Sequence, residues 1–237
     1  MQEDYGKLPV TEVVTRRIQT MIRTGEFAPE QKLPSQRVLA EQLGVSRASL
    51  REALLTLETL GLLRTLPARG TFVAGNVGEA AAAPPLAWRF SGSFSLLEAF
   101  QTRRLVEVEL CRLAAPEITA PQLEALAEAC AAFESAWRAG DLVTHVEADL
   151  AFHASIAEAC PNAMLRQLYQ SINEVLTESQ RAPIPRTQFA RMEASIREHQ
   201  LILAALQARD AAGAAEAMRV HICNTAAIAG VELASQA

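Results

Sequence analysis

Apolar residues recur along most of this chain at intervals of three and four, the spacing that lines one face of an α-helix. Val10, Val13, Val14, Ile18, Met21 and Ile22 form the first such run, and Gly25 follows as a natural C-terminal stop. Ser35, directly after Pro34, is placed to cap a second helix running to about Leu43, where Gly44 permits a tight turn. Ser46 caps a third, with Leu50, Ala53, Leu54, Leu57 and Leu60 on its inner face and Gly61 beyond its end. Residues 62–66 and 71–74 have strand character around Pro67-Ala68-Arg69-Gly70, which reads as a hairpin. Three helices and a two-stranded wing predict a winged helix-turn-helix over residues 1–75.

Residues 76–93 are rich in Ala, Gly, Pro and Ser, and Pro84-Pro85 breaks any helix there, so this stretch is expected to be a linker. Beyond it, helices are expected at residues 94–115, 120–139, 141–159, 163–181, 187–208 and 210–235. Pro116, Gly140, Pro161, the Pro183–Pro185 loop and Arg209-Asp210 separate them. Connections this short imply an antiparallel all-α bundle over residues 94–237. The fold class is thus mainly α, in two domains, and no internal repeat is visible.

Composition supports that reading. Half of the 237 residues are hydrophobic and only 5% aromatic, so the cores must be built from Ala, Leu, Val and Ile, a mixture that favours helices. The net charge of −5 argues at first against nucleic acid, but it is unevenly spread. Residues 1–75 carry 10 Lys+Arg against 8 Asp+Glu, whereas residues 76–237 carry 12 against 19. Only the first segment is attractive to phosphate. With no basic leader followed by an apolar run, and no membrane-length apolar stretch, a soluble cytoplasmic protein without a membrane partner is expected. Cys111, Cys130, Cys160 and Cys223 are too scattered for a thiolate metal or redox motif and read as core residues.

The segment LPSQRVLAEQLGVSRASLREAL, residues 33–54, together with GLLRTLPARGTFV at the wing, closely resembles the signature of the GntR family of bacterial regulators. Arg47 and Arg51 lie one helical turn apart on the side opposite the leucines, an exposed basic stripe suited to the major groove. Taken singly, such arginines are also ordinary solvated surface. The resemblance implies that Arg37, Arg47 and Arg51 contact operator DNA. It further implies that Ser35, Ser46 and Ser49 offer hydroxyls to phosphate, and that Gly70 lets the wing approach the minor groove, with Arg69 entering it. Gln36 and Glu30 depart from the family pattern, which usually has Glu and Gly there.

All four histidines lie in the second half. Asp149 and His153 are four apart on one helix face, and His199 and His221 come from the last two long helices. The stretches DLAFH, EHQLILAAL and AMRVH resemble the FCD effector domain, which marks the FadR-like branch of the GntR family. That resemblance implies a divalent metal held by Asp149, His153, His199 and His221. Imidazoles with one carboxylate suit a transition ion, Zn foremost, with Ni, Mn, Fe or Co as alternatives. His145, one turn before Asp149, matches no family ligand and is expected beside the set or at the surface. Arg103 and Glu107 in LLEAFQTRRLVEVELCRLAA match a family arginine and glutamate four apart. The arginine is implied to grip the effector carboxylate, although the pair also reads as a plain structural ion pair. Asn224, three residues after His221, is expected at the same cavity.

The reading is a homodimeric repressor of palindromic operator DNA, not an enzyme, controlled by a small carboxylate or sugar acid at the metal. Two rivals remain open: a metal-free FCD sensor of a larger ligand such as an acyl thioester, and a metal-dependent enzyme.

Overall fold

The computed structural model of the chain describes residues 9–75 and 88–233. The N-terminal stretch read for a leader and residues 76–87 of the expected linker lie outside them. The chain divides into two compact units, Met1–Ala82 and Ala83–Ala237.

In the first unit α1 (Val10–Arg23), α2 (Gln36–Leu43) and α3 (Arg47–Thr59) precede the antiparallel strands β1 (Leu63–Leu66) and β2 (Gly70–Val73). Ser35 and Ser46 cap α2 and α3 as expected, their side chains accepting the backbone N–H groups of Val38 and Ser49. Each such cap is worth about 1 kcal/mol. Val14, Ile18, Leu39, Leu50, Ala53 and Leu57 meet in the core. The strands pair from Leu63 opposite Val73 to Leu66 opposite Gly70, and Lys32 adds a short bridge to Phe72.

Two turn positions explain sequence choices. Gly70 has φ +110°, which disfavours any side chain, and the stem of Lys32 lies where its Cβ would be. Glu30 has φ 64°. Glycine is at ease in that left-handed conformation, so the family's preference for Gly there has a backbone cause. The Glu30 carboxylate instead pairs with Arg64 on β1.

The second unit consists of α4 (Leu96–Glu117), α5 (Ala120–Arg138), α6 (Leu142–Ala159), α7 (Ala163–Arg181), a 3-10 turn (Ile184–Arg186), α8 (Phe189–Gln207) and α9 (Ala211–Ile228). Ser95, Asp141, Asn162 and Asp210 each cap a helix N-terminus. Ser95 and Glu98 form a reciprocal capping box. Helix α4 is central, packing against α6, α7, α8 and α9, while α5 covers α6 and α8. Phe100, Leu126, Phe152, Ile202, Met218 and Ile222 centre a core otherwise filled by alanine and aliphatic residues.

Two boundaries differ from expectation. Pro116 does not stop α4, which absorbs it in its last turn and ends after Glu117. There the guanidinium of Arg209 donates to the carbonyls of Pro116 and Ile118 at 2.6 and 2.9 Å, satisfying groups that a helix end leaves open. Helix α9 stops at Ile228 rather than at residue 235, with Gly230 at φ 79° just beyond it. No described helix is long and apolar enough to cross a membrane. Cys111, Cys130 and Cys160 are buried free thiols and Cys223 is half-buried.

Candidate functional site

In the winged unit Arg47 and Arg51 are exposed while Leu50, Leu54 and Leu57 of the same helix are buried, so amphipathicity alone turns the two arginines outward. Ser46 and Ser49 stand beside them with hydroxyls 2.9 Å apart. Arg37 pairs with Glu41 at 2.9 Å, but both side chains are about two-thirds exposed at 65% and 64%. Such a pair is worth a fraction of a kcal/mol and leaves the guanidinium available. Arg69 is exposed in the wing turn, its N–H closing the hairpin on the Leu66 carbonyl at 3.0 Å. Lys32, which sequence reading left aside, joins these groups through its bridge to β2. No sequence signal marked it, because its closeness to Gly70 is a tertiary contact.

The helical unit is built differently. Asp149 and His153 on α6, His199 on α8 and His221 on α9 bring one ligand atom each to within 4.8 Å of one another. His199 Nε2 is 3.0 Å and His153 Nε2 4.0 Å from Asp149 Oδ1. The other ring nitrogen faces an oxygen in all three histidines, with hydrogen-bond geometry for His199 and His221 and without it for His153. His199 Nδ1 lies 2.8 Å from the Ser195 carbonyl, His221 Nδ1 3.0 Å from Glu198 Oε2, and His153 Nδ1 2.6 Å, off-axis, from Glu107 Oε2. An acceptor at Nδ1 places the proton there and leaves the Nε2 lone pair for a metal. His153 Nε2 and His199 Nε2 are buried without a hydrogen-bond partner, which a cation would supply. The donor set and these orphaned nitrogens fit a divalent transition ion.

Electrostatics tie the set together. Burial alone would raise the Asp149 carboxyl, but His199 first and then the other two histidines, when protonated, outweigh it and hold Asp149 well below the usual carboxylate range. Burial pushes His221 down to about 4, and the neighbouring His199 adds to the effect. Glu107 is opposed by burial yet kept at about 2 by Arg103 and His153. Glu198 is likewise held at about 2, against burial, by His221, Arg191 and Asn224.

Arg103 is wholly buried. Its Nε donates to Glu107 Oε1 at 2.7 Å, whereas Nη1 and Nη2 have no partner. A guanidinium stays charged, so two unpaired buried N–H edges are costly unless something fills the space before them. Arg103 lines a cavity of about 40 Å³ together with His145, Asp149, Gln180, Arg191 and His221. Glu107 therefore bridges the cavity arginine to a candidate metal ligand, since its two oxygens meet Arg103 and His153.

Other placements differ from the sequence reading. Asn224 does not line this cavity; it is exposed, and its amide donates to Glu198 at 2.7 Å. His145, by contrast, takes the first of its two expected places, fully buried beside the set on the cavity wall rather than at the surface. Sequence reading missed Glu198 and Arg191, which form a two-pronged pair at 2.9 and 2.7 Å. Their spacing of seven puts them on one face of α8, a signal for the pair but not for its reach to His221 on α9.

Comparison with known proteins agrees with both halves. Residues 10–73 match the family described as bacterial regulatory proteins, gntR family, and residues 98–224 match the FCD domain. The chain is 31% identical over 207 residues to the HTH-type transcriptional regulator LutR of Bacillus subtilis (strain 168), covering 86% of this chain and 94% of that one. It is 33% identical over 225 residues, 90% of this chain and 83% of the other, to the putative L-lactate dehydrogenase operon regulatory protein of Escherichia coli (strain K12). Its fold matches that of a putative transcriptional regulator GntR from Rhodococcus sp. RHA1, with TM-score 0.53, 21% identity and coverage of 94% and 99% of the two chains. The chain belongs to the GntR family of DNA-binding transcriptional regulators, and its helical unit is an FCD effector domain.

Proposed function

We propose that this regulator represses transcription as a homodimer on a palindromic operator and is released by a small carboxylate or sugar acid bound in the FCD unit. Arg47 and Arg51 read base edges in the major groove, Arg37, Ser35, Ser46 and Ser49 hold phosphate, and Gly70 and Arg69 bring the wing to the minor groove. One winged unit covers only a half-site, and a two-fold pair of chains reads a palindrome.

The carrying observation is the unpartnered edge of Arg103, buried in a small cavity beside the Asp149, His153, His199 and His221 cluster. A carboxylate is the anion whose two oxygens match that fork. Asp149, His153, His199 and His221 would hold the divalent ion, which would supply Lewis-acid charge to an acid oxygen. Glu107 and Glu198 orient His153 and His221, and Asn224 steadies Glu198. A bound acid ties α4, through Arg103, to the metal-bearing helices α6, α8 and α9. A ligand of acyl-thioester size is disfavoured by a cavity of about 40 Å³.

The test combines elemental analysis with fluorescence anisotropy of operator DNA. Purified protein is expected to carry about one transition ion per chain, and a His153→Ala, His199→Ala double variant to lose it. Arg103→Ala should bind operator yet ignore the acid that releases wild type. By linkage, an acid that weakens operator binding tenfold, about 1.4 kcal/mol, must itself bind the DNA complex tenfold less tightly. Protein that takes up no Zn, Ni or Mn, or an Arg103→Ala variant that responds as wild type does, overturns the reading.

A further inference from the structure

The cavity wall holds one group that a simple carboxylate leaves unanswered. The unpartnered buried atoms on the cavity-lining residues described are Arg103 Nη1 and Nη2, Gln180 Nε2 and His145 Nε2. The first three can only donate. The state of the fourth is set by its surroundings.

His145 Nδ1 lies 2.8 Å from the Phe133 carbonyl oxygen. A carbonyl accepts and never donates, so the proton of the neutral ring is on Nδ1 and Nε2 presents a bare lone pair. The ring cannot turn to exchange the two nitrogens without breaking that bond and its stack on Phe133, with centroids 3.9 Å apart and planes 24° from parallel. Burial pushes His145 toward its neutral form, partly opposed by the Phe133 carbonyl. Arg103 on the same cavity wall adds a positive charge that a second cation would have to face.

We propose that His145 is a specificity-determining residue of the effector pocket, whose Nε2 accepts a hydrogen bond from a hydroxyl on the bound acid. The proposal rests on the carboxylate reading above and adds the second functional group of the ligand. Arg103 and Gln180 take the carboxylate, and His145 reads the carbon beside it. A carbonyl at that carbon sets lone pair against lone pair, and a methylene leaves the nitrogen unpaired; both are penalised in a buried site. An ammonium there brings a second cation beside Arg103. The cavity, at about 40 Å³, has room for about three waters, so it favours the smallest hydroxy acids, of no more than about three carbons.

The test is calorimetric titration of metal-loaded, full-length protein with L-lactate, D-lactate, pyruvate, propionate and L-alanine, which share a size and differ at the second carbon. Wild type is expected to bind one lactate enantiomer at least about tenfold more tightly than pyruvate, propionate or alanine. His145→Phe keeps the stack on Phe133 but lacks the acceptor, and is expected to bring lactate to within about threefold of propionate. Metal content and thermal unfolding are checked in parallel. Should His145→Phe fail to fold, His145→Gln retains an amide that can donate to Phe133 and an oxygen that can accept, and must keep part of the lactate preference. Equal wild-type affinity for all the acids overturns the hydroxyl assignment but leaves the carboxylate reading standing. A lactate preference undiminished in His145→Phe assigns the discrimination to metal chelation and overturns the role of His145. If wild type binds none of the acids, the hydroxy-acid assignment falls and this inference with it, while the wider carboxylate or sugar-acid reading is decided by its own operator-release test.

Discussion

The two units handle charge in opposite ways. In the winged unit Arg37, Arg47, Arg51 and Arg69 all stand in solvent, and the ion pair of Arg37 is about two-thirds exposed. In the FCD unit Arg103 and Glu107 have no more than 3% of their side chains exposed, and the histidines beside them are equally buried. On the proposed reading, exposed arginines give up their water only when DNA arrives, so their energy belongs to the complex. Buried charges lose theirs on folding and are costly wherever they are left unpaired. The proposed DNA reading is thus separable from stability in this protein, and the proposed sensing is not.

Glu107→Ala tests that difference most severely. It strands the Arg103 guanidinium and removes the anchor of His153, and is expected to lower unfolding free energy by about 3–5 kcal/mol in urea titration. A loss under about 1 kcal/mol would mean that the FCD charges behave like those of the wing. Acid gives a smaller effect. The folded-state pKa of His221, about 4, lies below its ordinary 6.5, so the unfolded chain binds more protons between those values. Stability must therefore fall as pH drops from 6.5 to 4, by on the order of 2–3 kcal/mol for this group. Glu107 and Glu198, held at about 2, extend the loss as pH falls from about 4.5 toward 2. Thermal melts with chelator from pH 7.5 down to about 2 measure this, and added metal should steepen the acid limb, because protons compete for the same nitrogens.

On the exposed side, Arg47→Ala and Arg51→Ala should each weaken specific operator binding by about 1–3 kcal/mol. Neither should move stability beyond about 0.5 kcal/mol. Anisotropy and urea unfolding on the same samples decide it, and a variant that loses both properties together breaks the separation. The smallest effect is expected from Glu30→Gly. It relieves a left-handed backbone worth about 1 kcal/mol and gives up an exposed pair with Arg64 worth somewhat less. A net gain below about 1 kcal/mol in unfolding free energy, with operator binding unchanged, is the expected outcome.

What the sequence determined by itself was whatever depends on neighbours a few residues away. The Ser35 and Ser46 caps, the buried leucine stripe of α3, the hairpin tip at Gly70 and the shared face of Asp149 and His153 are all local geometry. Chain order therefore shows them directly. Resemblance carried the ligand set further, to His199 and His221. What only the tertiary structure decided was which atoms of those residues meet. Glu107 is four residues from Arg103, which made a pair legible, but its second oxygen turns to His153 only because α4 and α6 pack together. Glu198 adjoins His199 in the chain yet serves His221, because that ring comes to it from α9. Pro116 reads as a helix stop until Arg209, 93 residues on, donates to its carbonyl. His145 carries no mark in its neighbouring residues of being walled in by Phe133 from α5, with one nitrogen spoken for and one left bare. Helical periodicity fixes the face a side chain leaves from, but a hydrogen-bond partner lies wherever another helix is packed, and that is settled by burying the shared core.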